Sequence, residues 1–558
     1  MVGVKQPMKG VIYLPPKVAE HYHAAGVLTE DTLVGALRDS FARHSDRIAV
    51  SEEDVRISYR ELDEITERAA AALVRLGLRA LDPVLFQVYN CKELVFAVVA
   101  CLKAGLLPIC TLAAHRRSEI GQIGRQAGAR AHIVSAPDGR FDLVSFALEM
   151  KDEIPTVDHV IAVRTDGSDI GEALSFERLA AAEDLGEARE TLAAIEHDPW
   201  QVAIMQLSGG TSGTPKIIPR FNNDYLYTMR STLAWFGFDE SLVSFTPNPM
   251  MHNAPMACFW GPALAAGGEV AIAAGQDIAA IDVLMAARKP TWNLIAMVHI
   301  LRLQEYGTFD RQKFDNAYGF VILDGAREVS DIVGAPAYRV FGMTEGLVCF
   351  GRHSDPPLAV TTTVGNPVSE HDEIKLVGPG STDEVQPGEA GELLVRGPCT
   401  IRGYYDAQER NAEAFTADGF YRSGDLMSYA FIEGRRYLRF EGRVKDVVDR
   451  GGEKINCSEV ETAIAKDDRI GAVACVGMPD RLYGERLCAF IVMQAGEKAP
   501  TVAELGDFLG RQGLAKFKFP ERIEVLEELP MTSAGKLSKP QLRKAIADKV
   551  AAEQGEGA

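Results

Sequence analysis

The 558-residue sequence has few cysteines, no long uninterrupted apolar run and a deficit of positive charge. Its nine cysteines are scattered without any C-x-x-C spacing, which favours reduced thiols over a disulfide framework or a metal–thiolate site. The most apolar stretch, 94–114, is interrupted by Lys103, Gly105 and Pro108, which favours a buried helix and strand over a membrane span. The N-terminal residues contain no apolar segment of signal-peptide length, so a cytoplasmic protein is predicted.

The charge balance excludes a further group of functions. The sequence has 59 Lys and Arg against 78 Asp and Glu, a formal net charge of −19. Indiscriminate binding to nucleic acid or to anionic membranes needs a dominant positive field, so neither partner is expected. The 47% hydrophobic content is typical of a globular protein, and the length corresponds to about three to five structural units. Any anionic ligand must therefore meet a local cluster of donors.

Alternating β-like and helix-length segments predict an α/β fold with wound sheets. Ser58 and Glu61 form a capping-box pattern ahead of an amphipathic helix. VLFQVY at 84–89, a helix near 92–105 and LLPICTL at 106–112 form a βαβ pattern, which indicates parallel strands.

The pattern changes twice towards the C-terminus. After about Val360, short β-like pieces punctuated by Gly, Pro and Asp predict a small β-barrel or twisted sheet. From Glu441 a compact α+β pattern begins, with 18 Lys and Arg against 20 Asp and Glu, so most of the negative charge precedes it. Two domains are predicted: a large N-terminal one over 1–440 and a small one over 441–558.

The segment QLSGGTSGTPK at 206–216 is the first candidate for chemistry. Glycines let the backbone approach a phosphate and turn its N–H groups towards it, while hydroxyls and a lysine add donors and charge. It lacks the G-K-[ST] of a Walker A loop, and a Gly/Ser/Thr segment taken alone is more often a surface loop. The candidate phosphate-binding residues are Ser208, Gly209, Gly210, Thr211, Ser212, Gly213, Thr214 and Lys216.

Four later segments make the pattern specific. They are FGMTEG (341–346), YRSGDL (421–426), GRVKDVVDRGGEKI (442–455) and PMTSAGK (530–536). With the loop, they resemble the ordered core motifs of the adenylate-forming superfamily of acyl- and aryl-CoA synthetases, peptide-synthetase adenylation domains and beetle luciferases. The chain is most similar to aryl-acid adenylating enzymes of the 2,3-dihydroxybenzoate–AMP ligase type, through QLSGGT, IPRFNNDY, FGMTEGLV, RGGEKI and FPERIE.

The resemblance implies ATP and Mg²⁺ as cofactors and gives four residues roles in the reaction. Lys536 matches the lysine that bridges the carboxylate and the adenylate phosphate, and Glu345 matches the acid that holds Mg²⁺, a cation that prefers oxygen ligands. Asp425 matches the carboxylate that binds both ribose hydroxyls, and Arg443 matches the arginine near the ribose and phosphate. Read alone, each is also compatible with an ordinary surface or turn-stabilising role.

The resemblance also places the adenine and the hinge between the domains. The adenine-binding residues that it implies are Gly325, Ala326, Arg327, Phe341, Gly342, Met343 and Thr344. Lys445 matches the hinge about which the mobile small domain turns, and Gly451, Gly452 and Lys454 match the loop presented to the incoming thiol. A β-turn with a solvated lysine is the plainer interpretation of RGGEK.

The resemblance places the acid pocket at a segment that starts with His252, beside the substrate carboxylate. Asn253 stands where amino-acid-activating relatives have an aspartate, and an uncharged side chain disfavours a buried substrate ammonium. Ala254 and Cys258 replace a family tyrosine and serine, which predicts a wider and less polar pocket. Val348, after the FGMTEG motif, is expected to line it.

Asp324 stands beside Gly325 where the aryl-acid relatives tend to have a second glycine. If its carboxylate faces the pocket, it would select a substrate with a donor group. If it faces outward, it stabilises the turn. Both alternatives stay open, so dihydroxybenzoate is not transferred as the substrate.

The resemblance therefore implies an ATP- and Mg²⁺-dependent ligase that converts an aryl or bulky cyclic carboxylic acid to acyl-AMP and then to a thioester. Coenzyme A is the preferred thiol, and the phosphopantetheine of a separate carrier protein is the alternative. A non-catalytic nucleotide- or acyl-binding module and a luciferase-like oxygenase are further alternatives. A homodimer is compatible with these expectations.

Overall fold

The computed structural model describes residues 2–208, 215–273, 277–307, 309–323, 325–450, 453–531 and 537–555. Within these ranges the chain forms sheets of seven, nine, four and five strands with helices packed on and between them. The predicted α/β class is confirmed. No helix in the described ranges combines the length and apolarity needed to cross a bilayer.

Residues before 222 supply a hairpin and the seven-stranded sheet. The strands are β1 (Ile48–Glu52), β2 (Val55–Ser58), β3 (Pro83–Gln87), β4 (Leu107–Ile109), β5 (Ala131–Ser135), β6 (His159–Val163), β7 (Leu174–Ser175), β8 (Val202–Leu207) and β9 (Ile217–Phe221). The sheet order is β7-β6-β5-β3-β4-β8-β9. β3 and β4 are parallel, as the βαβ pattern predicts, whereas β8 and β9 form an antiparallel edge hairpin.

The helices of this part are α1 (Pro16–Ala24), α2 (Leu33–Arg43), α3 (Tyr59–Arg75), α4 (Lys92–Lys103), α5 (Arg117–Ala127), α6 (Leu143–Glu153), α7 (Phe176–Ala181), α8 (Leu185–Ala193) and α9 (Asn222–Phe236). The capping box is confirmed, since Ser58 and Glu61 bond reciprocally at the start of α3. α4 is buried from Glu93 onwards and packs against α3, β1 and β4. Burial on every face explains why its sequence is apolar on every face.

The nine-stranded sheet contains β10 (Val243–Phe245), β11 (Glu269–Ile272), β12 (Trp292–Leu294), β13 (Gly319–Ile322), β14 (Ala337–Gly342), β15 (Val348–Phe350) and β16 (Asn366–Pro367). Its order is β16-β15-β14-β13-β12-β10-β11-β1-β2, so the early hairpin forms one edge. Its helical segments are α10 (Asn253–Pro255), a π-helical turn (Met256–Trp260), α11 (Gly261–Ala266), α12 (Ile278–Arg288), α13 (Met297–Glu305), a 3₁₀ turn (Arg311–Phe314), α14 (Ala326–Val333) and α15 (Pro357–Thr362).

An antiparallel four-stranded sheet stands where the sequence predicts a small barrel or twisted sheet. It consists of β17 (Glu373–Val377), β18 (Gly391–Arg396), β19 (Tyr421–Ile432) and β20 (Arg435–Arg443), with α16 (Gln408–Ala414) beside it. Val364 donates its backbone N–H to the Leu438 carbonyl, and Leu438 donates its N–H to the Gly365 carbonyl, which joins this sheet to the chain entering the nine-stranded sheet.

After a 3₁₀ turn (Val444–Asp446), the chain forms a five-stranded sheet with its own apolar core. Its elements are β21 (Val447–Arg450), β22 (Glu453–Asn456), α17 (Cys457–Ile464), β23 (Ile470–Asp480), β24 (Gly484–Met493), α18 (Val502–Arg511), a 3₁₀ turn (Lys516–Lys518), β25 (Arg522–Val525) and α19 (Lys539–Gly555). Four strands follow the order β22-β21-β24-β23, and β25 pairs in parallel with β24.

Candidate active site

The predicted phosphate loop connects β8 to β9. Ser208 donates its backbone N–H to the carbonyl of Lys216 at 3.0 Å, and the Lys216 N–H donates to the Ser208 hydroxyl at 3.1 Å. The two ends of the loop are therefore held together by the antiparallel hairpin. The candidate loop residues Gly209, Gly210, Thr211, Ser212, Gly213 and Thr214 lie outside the described residues.

Glu345 lies in the tight turn between β14 and β15. The Met343 N–H donates to the Leu347 carbonyl at 3.0 Å, and the Glu345 carbonyl accepts from the backbone N–H of Ile401 at 2.9 Å. Gly346 has φ +143°, and a Cβ there would lie 2.3 Å from the Cys399 carbonyl oxygen, so only glycine fits this close approach. These contacts hold Glu345 at a defined, buried position.

The Glu345 carboxylate is bonded to a buried tyrosine. Tyr404 donates its hydroxyl to Oε1 of Glu345 at 2.7 Å, and the hydroxyls of Tyr404 and Tyr421 are 2.9 Å apart. Burial, followed by the nearby charge of Glu345, raises the pKa of both phenols above its ordinary range. The tyrosines are therefore neutral donors, and Glu345 retains oxygen lone pairs for a cation.

Lys216 contacts the ring of the same tyrosine. Its ammonium lies 4.6 Å from the centre of the Tyr404 ring, a cation–π distance. Burial lowers the pKa of Lys216, and Arg410, Lys445 and Arg443 lower it further, whereas Glu345 acts in the opposite direction. Arg410, Arg443 and Lys445 therefore lie near Lys216, as does the carboxylate of Glu345.

Asp425 and Arg443 are direct partners across β19 and β20. Nε of Arg443 lies 2.9 Å from Oδ1 of Asp425, but the contact is not aligned for a hydrogen bond, and Oδ1 is buried without an aligned donor among the described residues. Burial raises the pKa of Asp425 to about 6 despite the opposing effect of Arg443. A buried carboxylate oxygen that is ion-paired but has no aligned donor is suited to accept a ligand hydroxyl.

The expected adenine-binding residues lie on two segments, the start of α14 and the end of β14 with the turn that follows it. Gly325, with φ +78°, precedes the first turn of α14, in which Ala326 is buried and Arg327 exposed. On β14, Phe341 stacks on Phe440 with ring centroids 6.0 Å apart and planes inclined by 28°. Gly342 ends β14, and Met343 and Thr344 follow in the Glu345 turn. The half-buried Phe341 ring offers a flat apolar contact.

A short chain of hydrogen bonds orients Asn253 at the predicted acid pocket. Gln206 of β8 donates from Nε2 to the Tyr225 hydroxyl at 3.1 Å, and Tyr225 donates to Oδ1 of Asn253 at 3.0 Å. Burial raises the pKa of Tyr225 well above its ordinary range, so the phenol stays protonated. The amide nitrogen of Asn253 is thereby left as the donor for a ligand.

The other predicted pocket residues differ in exposure. His252 is half-buried at the N-cap of α10, and Ala254 is exposed. Cys258 and Val348 are buried within the main core, and burial raises the pKa of the Cys258 thiol to about 12. Asp324 lies outside the described residues.

The candidate hinge residue, Lys445, lies in the 3₁₀ turn between β20 and β21. Its backbone carbonyl accepts from Nη2 of Arg543 on α19 at 2.8 Å. Burial, then the charge of Arg443, lowers the pKa of Lys445. Lys454 pairs through its backbone with Asp449 across β21 and β22. The candidate residues Gly451, Gly452 and Lys536 lie outside the described residues.

Several residues that complete the site were given no role by the sequence. Arg220, Tyr225 and Gln206 lie in IPRFNNDY and QLSGGT, runs that mark the resemblance, but none of these three residues has a predicted function of its own. Tyr421 opens YRSGDL, and Tyr404 lies in a GYY segment outside the five motifs. These residues are buried next to predicted site residues, a proximity that becomes visible only in the folded structure.

Comparison with known protein families gives two adjacent matches. The family described as AMP-binding enzyme matches residues 37–405, and the AMP-binding enzyme C-terminal domain matches residues 459–536.

Three known proteins are similar over nearly the whole chain. The 2,3-dihydroxybenzoate-AMP ligase of Bacillus subtilis (strain 168) is 37% identical, covering 98% of this chain and 99% of that protein. A salicylyl-CoA synthase / salicylate adenylyltransferase of Streptomyces sp is 35% identical, covering 97% and 98%. The salicyl-AMP ligase / salicyl-S-ArCP synthetase of Mycobacterium tuberculosis is 36% identical, covering 95% and 93%.

Proposed function

The chain belongs to the family of AMP-binding enzymes and is an adenylate-forming ligase, and from this premise we propose that it activates an aryl or bulky cyclic carboxylic acid. The acid attacks the α-phosphate of ATP, which gives acyl-AMP and pyrophosphate. A thiol then displaces AMP to give a thioester, with coenzyme A as the proposed thiol. The proposed location is the cytoplasm.

One observation carries this proposal: a local cluster of cations surrounds two buried carboxylates in a chain of net charge −19. Glu345 is 8% exposed and Asp425 is 4% exposed. Arg443 and Lys445 lie close enough to Lys216 to lower its pKa, and both also act on the pKa of Asp425. Such a site suits a ligand that carries phosphates and hydroxyls together, as a nucleoside triphosphate does.

Different residues of the site are proposed to bind different parts of ATP. Asp425, ionised and lacking an aligned donor on Oδ1, accepts the ribose hydroxyls, and Arg443 beside it donates towards the phosphate side. Phe341 covers the adenine, and Lys216 and Ser208 hold the ends of the phosphate loop. Glu345 would hold Mg²⁺, which when bound neutralises charge on the phosphate oxygens. Lys536 is proposed to bridge the carboxylate and the α-phosphate.

The residues of the predicted acid pocket favour a substrate whose carboxylate is attached to an uncharged ring. Asn253 presents a fixed amide rather than a carboxylate, so an α-amino group would lose its counter-ion on burial. His252 stands one residue earlier, where it is proposed to lie beside the substrate carboxylate. Ala254 stands in place of the tyrosine that the resemblance would give, and its small side chain is proposed to leave room for a substituted or larger ring.

The thiol is proposed by comparison. One relative is named a salicylyl-CoA synthase and another a salicyl-S-ArCP synthetase, at 35% and 36% identity. The carrier-protein alternative therefore remains, with the same chemistry at the thiol. Lys445 is proposed as the hinge between the two half-reactions, and Gly451, Gly452 and Lys454 as the segment that meets the thiol.

A screen of pyrophosphate release over aryl and alicyclic acids tests the adenylation. An ortho-hydroxybenzoate such as salicylate and its larger ring analogues should give ATP-dependent release, and α-amino acids should not. Adding CoA alone, or a phosphopantetheinylated carrier alone, then identifies the thiol by the thioester formed.

The non-catalytic alternative makes the opposite prediction. It would be supported if no acid gave pyrophosphate release while nucleotide binding persisted, and if Lys536→Ala left that binding unchanged. The buried arrangement around Glu345 and Asp425 favours the enzyme.

A further inference from the structure

We infer that Tyr404 is a positioning residue that holds Glu345 and Lys216 in their working arrangement through two different parts of one side chain. This inference rests on the proposed function, in which Glu345 holds the metal and Lys216 lies at the phosphates. The Tyr404 hydroxyl donates to Oε1 of Glu345 at 2.7 Å. Its ring face lies 4.6 Å from the ammonium of Lys216.

Tyr404 is itself held from three directions. Its backbone N–H donates to Oδ1 of Asn411 at 2.8 Å, and its carbonyl accepts from Nδ2 of the same residue at 2.9 Å. Its hydroxyl oxygen lies 2.9 Å from that of Tyr421, and the side chain is 1% exposed. A side chain held this way has little freedom to follow a moving partner, so it sets the positions of its neighbours.

The direction of each hydrogen bond follows from the number of protons. Tyr404 has one hydroxyl hydrogen, which is used on Glu345, so the Tyr421 hydroxyl donates to the Tyr404 oxygen. This relay orients the Glu345 carboxylate by its Oε1 atom and leaves its remaining lone pairs for a cation. Removing a residue that hydrogen-bonds to a metal ligand typically lowers the affinity for the metal.

Two substitutions separate the two contacts. Tyr404→Phe removes only the hydroxyl and keeps the ring next to Lys216. The Mg²⁺ concentration that gives half-maximal rate should therefore rise, while the KM for ATP at saturating Mg²⁺ changes little. Tyr404→Leu removes the ring as well, so both the half-maximal Mg²⁺ concentration and the KM for ATP should rise. Tyr405→Phe is the matched control, because Tyr405 is the adjacent tyrosine and neither of these contacts involves it.

The experiment measures pyrophosphate release with salicylate, or with another acid active with the wild type, as MgCl₂ is varied at fixed ATP. For Tyr404→Phe the Mg²⁺ concentration at half-maximal rate should rise about 10- to 100-fold, and for Tyr405→Phe it should stay at the wild-type value. For Tyr404→Leu the KM for ATP at saturating Mg²⁺ should rise a further two- to fivefold, about the size of one cation–π contact.

A second measurement does not depend on turnover. The rise in melting temperature given by ATP with MgCl₂, compared with ATP and EDTA, should shrink in Tyr404→Phe and persist in Tyr405→Phe. An unchanged Mg²⁺ dependence in both measurements would overturn the role of Tyr404. If the wild type releases no pyrophosphate with any acid yet shows the Mg²⁺-dependent melting shift, the proposed function fails while the positioning role is still decided by the variants.

Discussion

Arg220 of β9 donates from Nη1 to the backbone carbonyl of Thr344 at 2.9 Å, across 124 residues of sequence. Arg220 is fully buried and pairs with Asp224 at the start of α9, with Nε 3.3 Å from Oδ1. The hairpin that carries the phosphate loop is thereby tied to the turn that carries Glu345. Burial raises the pKa of Asp224 to about 6 although the charge of Arg220 lowers it, so the ionised carboxylate needs this counter-charge in the core.

Replacing Arg220 should therefore affect both stability and activity. Arg220→Met leaves Asp224 buried without its counter-charge, and we expect unfolding to become easier by about 3–5 kcal/mol. We also expect adenylation to fall, because the Thr344 carbonyl loses its donor. Urea unfolding followed by fluorescence measures the first effect, and pyrophosphate release measures the second.

Arg230→Met is the matched control, because Arg230 lies on α9 but forms a solvent-exposed pair with Asp31. Its loss should cost less than about 1 kcal/mol. Equal destabilisation by the two substitutions would show that burial of the Arg220 pair is not what matters.

ATP binding should depend on pH through Asp425. Its pKa of about 6 lies above the ordinary aspartate value, so the group is ionised at neutral pH and becomes protonated as the pH falls through 6. The protonated form is a poorer acceptor for the ribose hydroxyls, so the affinity for ATP should drop about tenfold between pH 7 and 5. Calorimetric titration at several pH values measures this drop.

The variant Asp425→Asn should bind ATP weakly and without that pH step. Protonation of ATP itself affects both proteins equally, so it cancels in the ratio of the wild-type Kd to the variant Kd. Asp418→Asn is the control, because Asp418 is an exposed carboxylate in the connection between β18 and β19 of the same sheet. Because the raised pKa means that ionised Asp425 destabilises the unliganded fold, Asp425→Asn should raise Tm above about pH 6. A parallel pH profile in the two proteins would contradict the assignment.

Tyr225 should control the choice of acid. Tyr225→Phe removes the donor to Asn253 Oδ1 and frees that amide to rotate. We expect the KM for an ortho-hydroxy acid to rise by about 3- to 12-fold, the value of one hydrogen bond, with the KM for ATP unchanged. Steady-state kinetics with salicylate and benzoate measure both effects.

Tyr227→Phe provides the comparison, because the Tyr227 hydroxyl lies on the same helix but contacts Ser369. Its selectivity should match that of the wild type. A loss of ATP affinity in Tyr225→Phe would show that the hydrogen-bond chain serves the nucleotide rather than the acid.

Lys536 should serve only the first half-reaction. Lys536→Ala removes the cation proposed to bridge the carboxylate and the phosphate, so pyrophosphate release should be lost while thioester formation from supplied acyl-AMP is retained. Lys539→Ala, a nearby lysine paired with Glu461, is the control and should keep adenylation. Equal loss of both half-reactions in Lys536→Ala would remove the assignment.

Much of the fold could be predicted because its determinants are local. The capping box at Ser58 and the βαβ alternation from β3 to β4 depend on residues a few positions apart, and the structure confirms both. The order of the motifs, likewise readable along the chain, indicated the family and most candidate site residues. The residues outside the described ranges, including Lys536, stay predictions.

Tertiary structure alone decided how distant segments meet. The hairpin β1–β2 forms one edge of the nine-stranded sheet by pairing Val50 with Val270, a contact that no local periodicity encodes. Tyr404 likewise reaches Glu345 and Lys216 only because the loop that carries it packs between them. Periodicity reports which face of a segment is buried but not against what, so the sequence determined the elements and the chemistry, and packing decided which residues act together.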